Sequence, residues 1–395
     1  MRPRIAYLVI ISSVVALLLS ACGSEAPTPE TSSVPTPVGE LHQPPDPLPL
    51  GEPGELIWAE EVDLPIRPPA IIWRMLYHSR TVAGEDVAVS GFAFVPKADV
   101  PDGGRSVQAW AHGTVGLGDA CAPSRNIRDS FPPFGYEAIQ RGGIVVATDY
   151  EGLGTPGTHP YAVGVSEGRG VLDSVRAAAS LPNAGPIADV ILTGHSQGGA
   201  AVLFAGELAP TYAPELQIRG VVALAPGAEL ASLIDYLQGS PGVGATLIGA
   251  IGLSTTYPEI ELSSVLTPDA LAYVEEAEGE CIDATVARWS GSGGDAIFTT
   301  DPLDSRAFVR IFDENSPGSV DPAVPMLILQ GTDDEQVPVE ISQTLATKYC
   351  DLGATVTRST YAGIDHSGVI AAANDDVVAW IAARLAGEPN PSGCV

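Results

Sequence analysis

From about residue 58 onward the chain alternates short apolar segments with longer alanine-rich ones. "WRMLYHSRT" (73–81) and "DVAVSGFAFVP" (86–96) predict an early antiparallel pair joined at Ala83-Gly84. "SVQAWAH" (106–112), "GIVVATDY" (143–150), "ADVILTG" (188–194), "IRGVVALAP" (218–226), "VPMLILQG" (324–331) and "ATVTRSTY" (354–361) follow as further strands. Most of them are continuous apolar runs, the pattern of strands covered on both faces. Helices are expected at 166–181, after Ser196, at 339–353 and at 367–387. Strand alternating with helix predicts an α/β fold, a mostly parallel central sheet with flanking helices.

The alternation breaks at about 227–318, where helical periodicity runs without a clear core strand. That stretch reads as a helical cap inserted between two strands; the competing reading hides a further strand or helix of the main sheet in it. No internal repeat is visible.

The ends carry a different pattern. Arg2 and Arg4 precede an apolar run from Ile5 to Leu19, which has the charge and length of an export signal and is short for a membrane span. "LSAC" at 19–22 resembles a bacterial lipobox, whose cysteine becomes the lipidated first residue of the mature chain. Residues 1–22 are then a lipoprotein-type signal peptide, and Cys22 anchors the chain to the outer face of the cell membrane. The alternative is ordinary cleavage and secretion. Residues 23–55, rich in Pro, Ser and Thr, predict a disordered tether, leaving 56–395 as the folded domain.

Composition narrows the partners. With 48 acidic and 19 basic residues the 395-residue chain has a formal charge of -29, which repels phosphates and argues against nucleic acid. Five cysteines become four once Cys22 is set aside; Cys121, Cys281, Cys350 and Cys394 can form two disulfides in an oxidising compartment, in any of three pairings.

Candidate chemistry centres on "VILTGHSQGGAAVLFAGEL". Gly194-His195-Ser196-Gln197-Gly198 fits G-x-S-x-G between an expected strand and an expected helix, the setting of a nucleophile elbow. The glycines answer a steric need, because side chains two positions either side of a strained serine would collide. Ser196 is thus the candidate nucleophile, and the N–H of Gln197, at the helix start, a candidate oxyanion donor.

A serine needs a base, and the base needs an orienting acid. Of six histidines, His42 lies in the tether, His78 in an early strand, His112 and His159 ahead of the serine and His195 beside it. His366, in "YAGIDHSGVI" after the last strand, is the candidate base. In α/β-hydrolase order the acid lies between the two, and "LILQGTDDEQVP" offers Asp333 and Asp334 at a strand's carboxyl end. Asp334 suits the spacing D-x-x-V-P; Asp333 is then expected to face solvent or cap the turn, and Asp365 is a third candidate. "WAHGTVG" (110–116) supplies the second oxyanion donor, the Thr114 N–H, with His112 holding the loop. "TDYEGLGTPG" (148–157) is expected to line the site.

The motifs "HGT", "CAPS" (121–124), "VVATDYEGLG", "GRGVLDSVRAA", "GHSQGG" and "GTDDEQVP…YCDLGA…DHSG" resemble the secretory lipase family of α/β-hydrolases, the fungal lipase A type and its actinobacterial relatives. The resemblance spans residue 71 to the C-terminus. It implies an α/β-hydrolase fold, the triad Ser196, Asp334 and His366, and the disulfides Cys121–Cys281 and Cys350–Cys394. Two departures stand out: His195 where many fungal members carry Tyr, and no acidic residue near Thr114. The expected protein is an exported, monomeric carboxylic ester hydrolase acting on acyl esters or lipids, with no cofactor and no metal. The rivals are an acetyl esterase, a serine peptidase of the same fold, and an inactive cell-surface binding module.

Overall fold

The computed structural model describes residues 34–390 and 393–394. The expected signal peptide, Cys22 and the first part of the tether lie outside the described residues. Among those described, the strands are β1 (Leu56–Val62), β2 (Ala70–Arg80), β3 (Asp86–Pro96), β4 (Arg105–Ala111), β5 (Ile144–Thr148), β6 (Ile187–His195), β7 (Ile218–Leu224), β8 (Met326–Gly331) and β9 (Val356–Tyr361). They form one sheet in the order β1-β2-β3-β5-β4-β6-β7-β8-β9. From β5 to β9 along that order every pairing is parallel, whereas β1, β2, β3 and the β3-β5 junction pair antiparallel.

The continuous apolar runs are explained by two cores, one on each face. Ile144 and Val146 of β5 pack into one and Val145 and Ala147 into the other; Val221 and Ala223 of β7 are likewise separated from Val222 and Leu224. Successive side chains on a strand point to opposite faces, so a strand between two helical layers needs apolar residues at every position. Burying each large aliphatic side chain contributes about 1.5–3 kcal/mol. The strand missed by the pattern is β1, "LIWAEEV", whose Glu60 and Glu61 suit the polar edge of a sheet.

Residues 34–54 correct the expected tether over 23–55. Leu41 and His42 are buried, the Leu41 carbonyl accepts from Trp58 Nε1 (2.8 Å), and His42 Nε2 donates to Ser124 Oγ (2.8 Å). Ala59 N donates to the carbonyl of Pro35 (2.9 Å). A proline-rich segment has little backbone freedom to lose on ordering, so a few anchors suffice to dock it.

Between β7 and β8 the chain forms the α-helices Leu230–Gln238, Gly244–Ser254, Leu262–Val265, Pro268–Gly279, Ile282–Trp289 and Arg306–Glu314, with no strand of the main sheet. They enclose a core of their own that includes Val243, Leu247, Ile251, Tyr273 and Trp289. This cap is tied to the loop after β4: Ile282 N donates to the Val115 carbonyl (2.9 Å) and Gly118 N to the Glu280 carbonyl (3.1 Å). Cys121 and Cys281 are disulfide-bonded beside those contacts, and Cys350 is bonded to Cys394.

Candidate active site

β6 delivers the chain to Ser196, and the helix Gln197–Tyr212 starts at the next residue. Ser196 takes φ 56° and ψ -119°, a conformation L-residues rarely adopt outside imposed turns. The flanking glycines make it possible. A Cβ on Gly194 would lie 2.1 Å from the Gly198 carbonyl oxygen, and one on Gly198 would lie 2.0 Å from that of Ala111. The loop after β4 lies against the serine, since a Cβ on Gly113 would sit 3.4 Å from Ser196 Cβ. Thr114 and Ser196 therefore face the same space, and Gln197, first in its helix, has no intrahelical acceptor for its N–H.

His366 and Asp334 arrive from loops beyond β9 and β8. His366 Nδ1 donates to Asp334 Oδ2 (2.7 Å), leaving Nε2 to accept from Ser196 Oγ (2.9 Å). Asp334 Oδ2 also takes Gln330 Nε2 (2.7 Å), and Oδ1 takes the N–H groups of Gln336 (2.9 Å) and Val337 (2.8 Å). Burial opposes the Asp334 charge, but His366 and those two N–H groups outweigh it and hold the pKa below the ordinary value. Asp333 is exposed and accepts from Thr332 Oγ1 (3.0 Å), while exposed Asp365 accepts the Gly368 N–H (2.7 Å). Neither hydrogen-bonds to His366.

The remaining histidines are occupied elsewhere. His195 Nε2 donates to the His366 carbonyl (2.9 Å), and His112 Nδ1 donates to the Gly113 carbonyl (2.7 Å), within the loop that carries Thr114. Burial lowers the pKa of each to about 4, so both are neutral near pH 7. His78 pairs through Nδ1 with Asp86 (2.9 Å). His159 contacts the site through Gln197, a relation the linear pattern does not disclose.

Above Ser196 lies a cavity of about 900 Å³. Its apolar wall is built by Phe204 and Phe312 together with the cap residues Leu230, Leu237, Gly249 and Leu253. The segment 148–157, expected to line it, stands behind instead. Tyr150 has φ 72° and turns inward, its hydroxyl donating to the His112 carbonyl (2.9 Å), while Asp149 is buried against Ser124 and Ser90. The lining comes from Tyr161, Ala162, Gly164 and Glu167 just beyond. Glu167 had no signal in the sequence, where "SEGRG" reads as the start of a helix. Among the described residues no three His, Cys, Asp or Glu side chains cluster as metal ligands.

Known lipases resemble the chain in sequence and in fold. The chain is 29% identical over 271 residues to the secreted triacylglycerol lipase LIP4 of Malassezia globosa, covering 65% of this chain but only 58% of that lipase. It is 25% identical over 406 residues to lipase A of Arthroderma benhamiae, covering 93% and 83%. The fold matches that of Candida antarctica lipase A with a TM-score of 0.77 at 22% identity, over 87% of this chain and 84% of that one. The sequence profile of the secretory lipases matches residues 134–393, and the chain belongs to the secretory lipase family.

Proposed function

We propose that the protein is a serine ester hydrolase, a lipase or carboxylesterase that cleaves acyl esters such as glycerides through an acyl-enzyme. Ser196 Oγ attacks the ester carbonyl as its proton passes to His366 Nε2; Asp334 holds the Nδ1–H tautomer and stabilises the imidazolium that forms. The N–H groups of Gln197 and Thr114 receive the oxyanion. His366 then gives its proton to the leaving alkoxide, and a water activated by the same histidine releases the acid. No cofactor or metal enters these steps.

The observation that carries this reading is the hydrogen-bonded line from Asp334 through His366 to Ser196 at the floor of a cavity with an apolar wall. A cavity of about 900 Å³ far exceeds the needs of an acetyl group, which favours longer acyl chains over an acetyl esterase. The protein is further proposed to be exported, to act as a monomer and to be held at the outer membrane face through lipidated Cys22.

Hydrolysis of p-nitrophenyl esters of rising chain length, with and without a lipid interface, tests the reading. Turnover that rises with chain length and vanishes in Ser196→Ala is expected. Absence of turnover at every length, from folded protein, would sink the idea.

A further inference from the structure

Gln197 is gripped by its side chain as well as by its helix. Its Nε2 donates to Glu167 Oε1 (2.8 Å) and to His159 Nε2 (2.9 Å). His159 can accept there because its Nδ1 donates to the Glu151 carbonyl (2.8 Å) and burial, lowering its pKa to about 3, keeps the ring neutral. Glu167 Oε1 also takes the Ala162 N–H (3.0 Å). Glu167, His159 and Gln197 expose 1%, 1% and 6% of their surface, so these bonds meet little competition from water.

The same segment reaches the other oxyanion residue. Tyr161 shares a hydrogen bond with Thr114 Oγ1 (2.8 Å). Residues 159–167 therefore hold the side chains of both Gln197 and Thr114. Glu167 has no cationic partner among the described residues, and a buried carboxyl without one is unfavourable for stability. Its contacts point to positioning: oxyanion donors act only when held within a fraction of an ångström of the developing charge.

We propose that Glu167, His159 and Tyr161 are positioning residues that hold the Gln197 and Thr114 amides on the oxyanion, a role that rests on the serine-hydrolase reading above. They touch the side chains of the two donor residues, not the reacting atoms. Their loss should weaken binding of the tetrahedral state and spare binding of the ester.

The test compares wild type, Glu167→Leu, Glu167→Gln and Tyr161→Phe. Removing one oxyanion donor outright lowers kcat about 100- to 1000-fold, so misplacing one should lower it about 10- to 100-fold in Glu167→Leu and Tyr161→Phe. KM should stay within about twofold, since the apolar wall formed by Phe204, Phe312 and the cap residues is left unchanged. Affinity for an alkyl boronic acid, which forms a tetrahedral adduct, should fall in step with kcat, and Glu167→Gln, which keeps an acceptor oxygen, should recover most of the loss. Titration with a p-nitrophenyl phosphonate counts folded sites and tests the underlying reading separately. If wild type is not labelled at Ser196, the hydrolase reading fails and the proposal with it. If every variant is labelled fully but kcat is unchanged, or KM alone rises, only the positioning role is overturned. Tyr161→Phe deletes a single hydroxyl and carries the test should Glu167→Leu not fold.

Discussion

His195, the residue immediately before Ser196, donates from Nε2 to the carbonyl oxygen of His366 at 2.9 Å, with the two rings 4.6 Å apart. The elbow thus holds the loop that carries the candidate base, and the serine and histidine cannot drift apart without breaking a buried bond. A neutral imidazole suffices, and burial keeps His195 neutral by lowering its pKa to about 4.

His195→Phe keeps the bulk of the ring and deletes the donor, leaving the His366 carbonyl unsatisfied. An unpaired buried polar group costs about 1–3 kcal/mol, and that loss of stability is expected in urea unfolding. Since the displaced group is the backbone of His366, kcat should fall about tenfold, for each 1.4 kcal/mol of transition-state stabilisation lost is a factor of ten. An unchanged kcat would show that other contacts hold the loop.

Asp334 and Asp333 separate cleanly by substitution. Asp334→Asn sets an amide against donors on both oxygens and removes the charge facing His366, so kcat should drop by about 1000-fold or more, whereas Asp333→Asn should change it less than about twofold. The Asp334 pKa lies below 3.8, so its contribution to stability is present above that value and is lost as pH falls through the folded-state pKa. The stability gap between wild type and Asp334→Asn should therefore close in strong acid. A gap that stays constant on acidification would contradict this.

Glu167 has the opposite sign. Burial raises its pKa from 4.5 to about 8, so the folded state holds a proton that the unfolded state releases, and stability falls as pH rises across that window. His159, with its pKa at about 3, and Tyr161, raised to about 12, do not titrate within it. The melting temperature of Glu167→Gln, measured against wild type, should gain steadily from about pH 5 to about pH 8. A flat difference would show that the carboxyl is ionised throughout.

Gly249 lies on the cap helix Gly244–Ser254, lines the cavity, and a Cβ there would meet nothing within 4 Å. Gly249→Leu is expected to fill acyl space and leave the fold intact. Turnover of long-chain esters should fall about tenfold or more relative to butyrate, as excluded methylenes forfeit about 0.8 kcal/mol each. Equal loss at all lengths would place the acyl chain elsewhere.

The Cys121–Cys281 bond closes a separation of 160 residues and lies beside the backbone bond from Ile282 N to Val115, the neighbour of Thr114. Replacing both cysteines with serine should lower stability by about 2–5 kcal/mol. Loosening the cap from the Thr114 loop should also reduce kcat at temperatures where the protein is still folded. Unchanged kcat with lowered stability would confine the bond to a structural role.

The sequence by itself determined the α/β architecture, the inserted cap, and the steric demand at Gly194 and Gly198, because burial on two faces and a strained turn leave local traces in one dimension. The order of Ser196, Asp334 and His366 along the chain, that of the α/β-hydrolases, made them candidates although they lie far apart in sequence. Local composition misled at Leu41 and His42, where a proline-rich stretch docks through two anchors whose sites belong to distant strands and loops. Tertiary structure alone decided where His195 points and that Glu167 and His159 meet at Gln197. Those last contacts join residues 30 and 38 positions apart. Their hydrogen bonds exist only once the helix Gly164–Ala179 packs against the helix Gln197–Tyr212, and no local pattern records a partner that packing supplies.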